Sequence, residues 1–253
     1  MPSSAALRLQ IERAVEHRFP SALTPTPRTI RDVAPTGVGA VDALLEGGLP
    51  VGAISEILGP DSSGRTSLSL AFVARRTENE QLCAWVDLAD AFDPESAAAN
   101  GVVLSHLLWV RCKPTAQGLK TKPWSRLDQA LRATDLLLQV GGFGAIVLDL
   151  GGMALEHGMR IPLATWFRFR QAADRTRCCL VVLSQADFTQ SSAAAVLECA
   201  RQNAEQAGGT ILRGFDYSVQ RKRERFVPFS ARAQKPPVST WTPSTAWHSE
   251  RRA

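Results

Sequence analysis

Apolar positions along the chain follow two rhythms. Leu7, Ile11 and Val15 recur at i, i+4 and i+8, which predicts an amphipathic helix over residues 5–18. Pro20, Pro25 and Pro27 then interrupt regular structure, so residues 19–35 read as a linker. The helix has two readings here: a docking element for a partner, or a helix folded back on its own core. From residue 36 to about 220 the rhythm changes. Short apolar runs predict strands at 53–58, 82–87, 107–111, 145–149 and 179–184, with helices between them at 65–76, 93–100, 125–139 and 162–175. Near-continuous apolar strands separated by helices imply an α/β fold, a mostly parallel twisted sheet covered by helices on both faces. Residues 209–229 read as an antiparallel pair closing the sheet edge. Residues 230–253 carry Pro236, Pro237 and Pro243 among Ser and Thr and read as a flexible tail. The expected organisation is a helix and linker over 1–34, a core over 35–229 and a tail over 230–253.

Composition adds little until charge is located. With 45% hydrophobic and 21% charged residues in 253, the chain has the balance of a globular protein. The net charge of +5 is uneven: residues 1–200 hold 19 basic and 20 acidic side chains, and residues 201–253 hold 10 and 4. The core is near neutral and the basic excess lies at the C-terminal end. Five cysteines, mostly inside apolar runs and without a C-x-x-C pair, argue against a disulfide framework or a structural metal and for buried thiols in a reducing compartment. No apolar run approaches the roughly 18–20 residues of a membrane span, and the N-terminus lacks an apolar signal core.

One segment carries chemistry. The strand at 53–58 runs into Gly59-Pro60-Asp61-Ser62-Ser63-Gly64-Arg65-Thr66-Ser67 and then a helix, the G-x-x-x-x-G-[K/R]-[ST] pattern in its strand-loop-helix context. The glycines let successive backbone N–H groups face a phosphate, and the helix N-terminus adds its dipole. Thr66 is placed to offer a hydroxyl to Mg²⁺. About 85 residues on, Ala145-Ile146-Val147-Leu148-Asp149 is an apolar strand ending in a carboxylate, the second half of a P-loop nucleotide site. Lysine normally stands at position 65. Arginine keeps the charge but is planar and favours bidentate contacts, so the exchange predicts impaired hydrolysis, with loss of ATP binding as the sharper alternative.

The sequence resembles the RecA recombinase family. The resemblance lies in Thr36-Gly37-Val38-Gly39-Ala40-Val41-Asp42 and in Gly47-Gly48-Leu49-Pro50-Val51-Gly52 leading to the P-loop. It continues through Ala84-Trp85-Val86-Asp87, Ala91-Phe92-Asp93-Pro94, Asp149 and Val181-Val182-Leu183-Ser184-Gln185, covering about 35–185 and 186–229 loosely. It implies a RecA-like P-loop core binding ATP and Mg²⁺, with Gly59 to Ser67 as phosphate cradle, Thr66 and Asp149 supporting the metal, Gln185 sensing the γ-phosphate and Asp93 near the adenine. Arg221 and Arg223 echo a family K-x-K pair that reaches a neighbour's nucleotide.

Departures from the family pattern are grouped. The glutamate that polarises the attacking water is replaced by Ala89, which cannot orient water or take a proton. Asp90 is adjacent, but in an extended segment its side chain points the other way. The adenine-stacking aromatic falls at Ser96. The segment after Gln185 is short, with Thr189, Gln190, Ser191, Ser192 and an alanine run but no basic residue before Arg201. The resemblance therefore narrows to ImuA-type proteins of bacterial damage-induced mutagenesis. It implies a cytoplasmic, nucleoid-associated accessory protein in translesion synthesis that scaffolds a mutagenic polymerase complex over a weakened ATP site. RecA-type filaments and single-stranded DNA are further candidate partners. An active DNA-dependent ATPase or recombinase-like enzyme, and a damage-induced inhibitor of cell division, are the rivals.

Three remaining features each have two readings. Arg221, Lys222, Arg223 and Arg225 form either a phosphate-binding patch for single-stranded DNA or a solvated edge strand. Trp241 and Trp247 either anchor a partner or tuck back onto the domain. Trp85, Trp109 and Trp166 fall inside predicted elements and read as core.

Overall fold

A computed structural model describes residues 32–112, 125–207, 211–224 and 238–241. The chain divides into two compact units, Met1–Ile30 and Arg31–Ala253, and every described residue belongs to the second. The helix predicted at 5–18, Arg225 and Trp247 lie outside the described residues.

Among the described residues the main sheet has eight strands. Five are parallel and were legible as apolar runs: β3 (Ile54–Leu58), β4 (Cys83–Asp87), β5 (Leu107–Arg111), β6 (Ala145–Asp149) and β7 (Cys179–Ser184). With β8 (Ala195–Ala207), β9 (Ile211–Glu224) and β10 (Val238–Trp241) the order is β10-β9-β8-β3-β7-β6-β4-β5. A separate pair, β1 (Val33–Ala34) and β2 (Leu49–Pro50), flanks α1 (Gly39–Leu44) in the chain. Alternate side chains of β4, β6 and β7 feed two cores. Trp85, Val147 and Val181 meet Leu68, Phe72 and Val73 of α2 (Arg65–Glu78) and Ala97 of α3 (Pro94–Ala99). Val86, Ile146, Leu148 and Val182 meet Leu127, Ala130 and Leu138 of α4 (Ser125–Val140) and Trp166, Phe169 and Ala173 of α6 (Leu163–Thr176). Burial on both faces is why these strands lack polar alternation. A four-residue helix, α5 (Leu155–Gly158), follows β6.

The edge differs from expectation. The antiparallel pair is β8 with β9 rather than a hairpin within 209–229, and β8 also pairs in parallel with β3. The alanine run expected in a loop therefore enters the sheet: Ala193, Ala194 and Ala195 are buried, and the Ala194 N–H donates to the Ile54 carbonyl at 2.8 Å. Small side chains fit against the central strand there but give no β-branched signal. Four residues of the segment read as a flexible tail also join the sheet, Val238–Trp241 pairing antiparallel with β9. Trp241 is buried with its ring 5.4 Å from that of Tyr217, so it is packed on its own domain rather than free to anchor a partner. Trp85 and Trp166 are fully buried, and Trp109 is half-buried beside Phe92. All five cysteines are free and buried, which pushes the Cys83 and Cys199 thiols up to about 12.

Candidate nucleotide site

The C-terminal ends of β3, β7, β6 and β4 form one edge, the place where open α/β sheets hold ligands. The P-loop leaves β3 at Gly59, where an added Cβ would lie 2.3 Å from the Cys199 carbonyl oxygen. It ends at Gly64, in the left-handed region at φ 88°, with the Tyr217 ring 2.7 Å from where a Cβ would stand. Only glycine fits either position. Gly64 caps α2 without a side-chain acceptor, so the first N–H groups of a 14-residue helix are open to an anion, and the Thr66 side chain is exposed beside them.

Arg65 does not complete that cradle. It is 8% exposed, and its guanidinium donates through Nη1 to the Ser184 carbonyl and through Nη2 to Asp61 Oδ1 at 3.2 Å. The charge is thus committed inside the protein, across the mouth of β7. Gln185 closes the same circuit, its amide donating to the Gly151 carbonyl at 2.9 Å and to Asp61 Oδ1 at 3.4 Å. Asp149 accepts from the Gly151 N–H at 2.9 Å, and burial raises its pKa above the ordinary carboxylate value, with Arg65 opposing. The structure therefore brings Asp61, Arg65, Asp149 and Gln185 together. The open N–H groups at the start of α2 fit a phosphate; Arg65, as placed, does not, and Thr66 and Asp149 are the residues that would hold a Mg²⁺ beside it. A bound nucleotide would supply a phosphoanhydride, with the α2 N-terminus holding its charge.

Asp93 shares no hydrogen bond with this cluster and caps α3, accepting from Glu95 N, Ser96 N and the Ser96 hydroxyl, the last holding its carboxyl below the usual range. Ser96 is thus an acceptor's partner rather than a stacking surface. Asp90 pairs in bidentate fashion with Arg111 at 2.6 and 2.8 Å; its segment is a bend rather than extended, with Asp90 itself in the left-handed region at φ 59°. The basic run on β9 is largely engaged. Arg221 reaches the Leu44 carbonyl at 3.1 Å, Lys222 reaches Glu198 at 2.8 Å, and Arg223 bonds Asp187 and the Gln190 carbonyl.

Three further residues have a placement that the sequence left unassigned. Buried Asp87 accepts from Ala91 N, Phe92 N and Trp109 Nε1, fixing the turn that carries Ala89 and Asp93. Glu56, fully buried on β3, accepts from Ser184 Oγ at 2.8 Å, Phe188 N at 2.9 Å and both donors of Thr189. Burial pushes it up to about 7. A lone glutamate inside Ile54-Ser55-Glu56-Ile57-Leu58 was its only signal. Trp241 lines a cavity of about 640 Å³ with Ser67, Ala71, Arg75 and Asn100, an aromatic wall beside α2 that the tail's composition concealed.

The RecA N-terminal domain model matches residues 9–155. The chain belongs to this family. Among curated relatives it is similar to Protein RecA of Acidothermus cellulolyticus, 38% identical over 141 residues, which are 55% of this chain and 37% of that protein. Protein RecA of Methylococcus capsulatus is 40% identical over 119 residues, 47% of this chain and 31% of that one. Protein RecA of Rickettsia canadensis is 28% identical over 196 residues, 72% and 54%. The chain thus spans about a third to a half of these relatives. A solved structure titled the RadB recombinase shares the fold at TM-score 0.58 and 16% identity, over 84% of this chain and 96% of that one. The RecA-like α/β core is therefore the fold of this chain. Among the described residues no group of three or more His, Cys, Asp or Glu could hold a metal ion, and no helix is long and apolar enough to cross a membrane.

Proposed function

We propose that this chain is an accessory protein of bacterial DNA damage tolerance, cytoplasmic and nucleoid-associated when active, that scaffolds a translesion polymerase complex and turns ATP over weakly or not at all. The observation that carries the reading is Arg65. A P-loop cation tied to the Ser184 carbonyl and Asp61 is not presented to β- and γ-phosphates, and Ala89 supplies no base. A further support is the turn after β7, which Glu56 and Arg223 tie to β3 and β9 through the Phe188 and Thr189 N–H groups and Asp187.

A second reading, an active DNA-dependent ATPase, is favoured by one feature: Trp241 gives the cavity beside α2 an aromatic wall on which a base can stack. ATP hydrolysis with and without single-stranded DNA separates the two. The accessory reading expects background turnover that rises in the Arg65→Lys/Ala89→Glu variant. Robust DNA-stimulated turnover by the unaltered chain, abolished by Asp149→Ala, would overturn it.

A further inference from the structure

Against the Ala89 side of the P-loop edge lies a second cavity of about 240 Å³, between the 88–89 turn, the start of α4 and residues 152–157. Its apolar walls are Leu88, Leu127 and Met153, each nearly buried, and its polar lining comes from Arg126 and His157. Ala89 helps to open it: a Cβ added to Gly152 would lie 3.0 Å from the Ala89 methyl, so two of the smallest side chains stand where a larger pair would fill the space. At about 240 Å³ it falls below the roughly 300–1,000 Å³ of small-molecule sites and suits one inserted side chain.

Two exposed apolar pairs stand among and after the cavity-lining residues in the chain. Leu155 and Met159 are 52% and 49% exposed four residues apart, and Leu163 and Phe167 are 51% and 48% exposed four residues apart on α6. On α6 that spacing presents Leu163 and Phe167 on one face, while Leu155 opens α5 and Met159 is its C-cap. The charged groups among them are mainly cationic. Arg160 is exposed, Arg170 stands 4.9 Å over the Phe167 ring, and Glu156 is the acid of α5, 3.9 Å from His157. Three of the four apolar side chains are aliphatic and offer a nucleobase no ring to stack on, which argues against single-stranded nucleic acid.

We infer that this surface binds an acidic amphipathic helix of a protein partner, with one apolar anchor of that helix in the cavity and its carboxylates against Arg126, Arg160 and Arg170. The inference deepens the accessory reading by locating the partner's seat, and it assigns Ala89 a use as a cavity wall. The test is a selection of random 12-residue displayed peptides on the immobilised full chain, followed by anisotropy titration of the recovered sequences. Expected are peptides of net negative charge with Leu, Phe or Trp at helical spacing, weakened about tenfold or more by exposed-site Met159→Ser/Phe167→Ser, which removes apolar area without adding charge, and by cavity-filling Ala89→Leu. A basic consensus, no consensus, or equal affinity for the surface double variant would overturn it. So would a labelled oligothymidine whose binding the double variant abolishes, which would assign the surface to nucleic acid. ATP turnover measured on the same samples reports on the accessory reading separately, because neither Met159 nor Phe167 touches the P-loop edge in this reading.

Discussion

Replacing Arg65 by lysine separates a tether from a phosphate ligand. In the structure the guanidinium makes a charge-assisted hydrogen bond to a buried carbonyl, that of Ser184, and an ion pair with Asp61, whose side chain is 82% exposed. The first is worth about 1.5–3 kcal/mol and the second, solvent-screened, about 0.5 kcal/mol or less. Lysine is a single-point donor that can keep at most one of them. The expected cost without nucleotide is therefore about 1–2 kcal/mol, a fall in melting temperature of roughly 2–8 °C for a chain of this size. The freed ammonium can then reach a phosphate, so affinity for a fluorescent ATP analogue with Mg²⁺ should rise at least about tenfold, and ligand at a hundred times its Kd returns about 2.7 kcal/mol. Guanidinium denaturation followed by tryptophan fluorescence, with and without the analogue, reads both quantities. An Arg65→Lys chain with unchanged stability and unchanged nucleotide affinity would refute the tether.

Two further outcomes follow from neighbouring residues. Glu56, lifted from 4.5 to about 7 by burial with Asp187 adding to it, binds its proton more tightly folded than unfolded. Its contribution to stability is therefore present at low pH and lost as pH rises from about 4.5 to 7, amounting to at most about 3 kcal/mol. Denaturation midpoints taken across that window should slope downward in the native chain and lose the Glu56 part of the slope in Glu56→Gln; identical slopes would contradict the burial account. Trp241→Ala removes an aromatic packed against Tyr217 at the sheet edge and should cost about 3 kcal/mol, the low end for an aromatic-to-alanine change; a loss under about 0.5 kcal/mol in urea melts would mean that β10 does not hold.

How far the sequence alone reached depends on which force placed each residue. β3, β4, β6 and β7 are buried on both faces, so their side chains must be apolar throughout, and they could be read to within a residue or so. The P-loop was equally legible, because Gly59 and Gly64 stand where any Cβ collides with Cys199 or Tyr217, and local backbone demands leave a local mark. β8 and β10 were not legible. Alanine has no strand bias, and Val238–Trp241 follows two prolines; both are strands because β3 and β9 offer open backbone groups to pair with. Side-chain direction was likewise undetermined. Sequence identified Arg65 as a cation in a phosphate loop and Ala89 as a missing base. Only the tertiary structure turned that guanidinium onto a carbonyl 119 residues away, buried Glu56 beneath a distant turn, and brought Trp241 from the tail to α2. Apolar periodicity and glycine are consequences of nearby backbone geometry, whereas the partner of a charged or aromatic side chain is whichever unsatisfied group the fold carries to it.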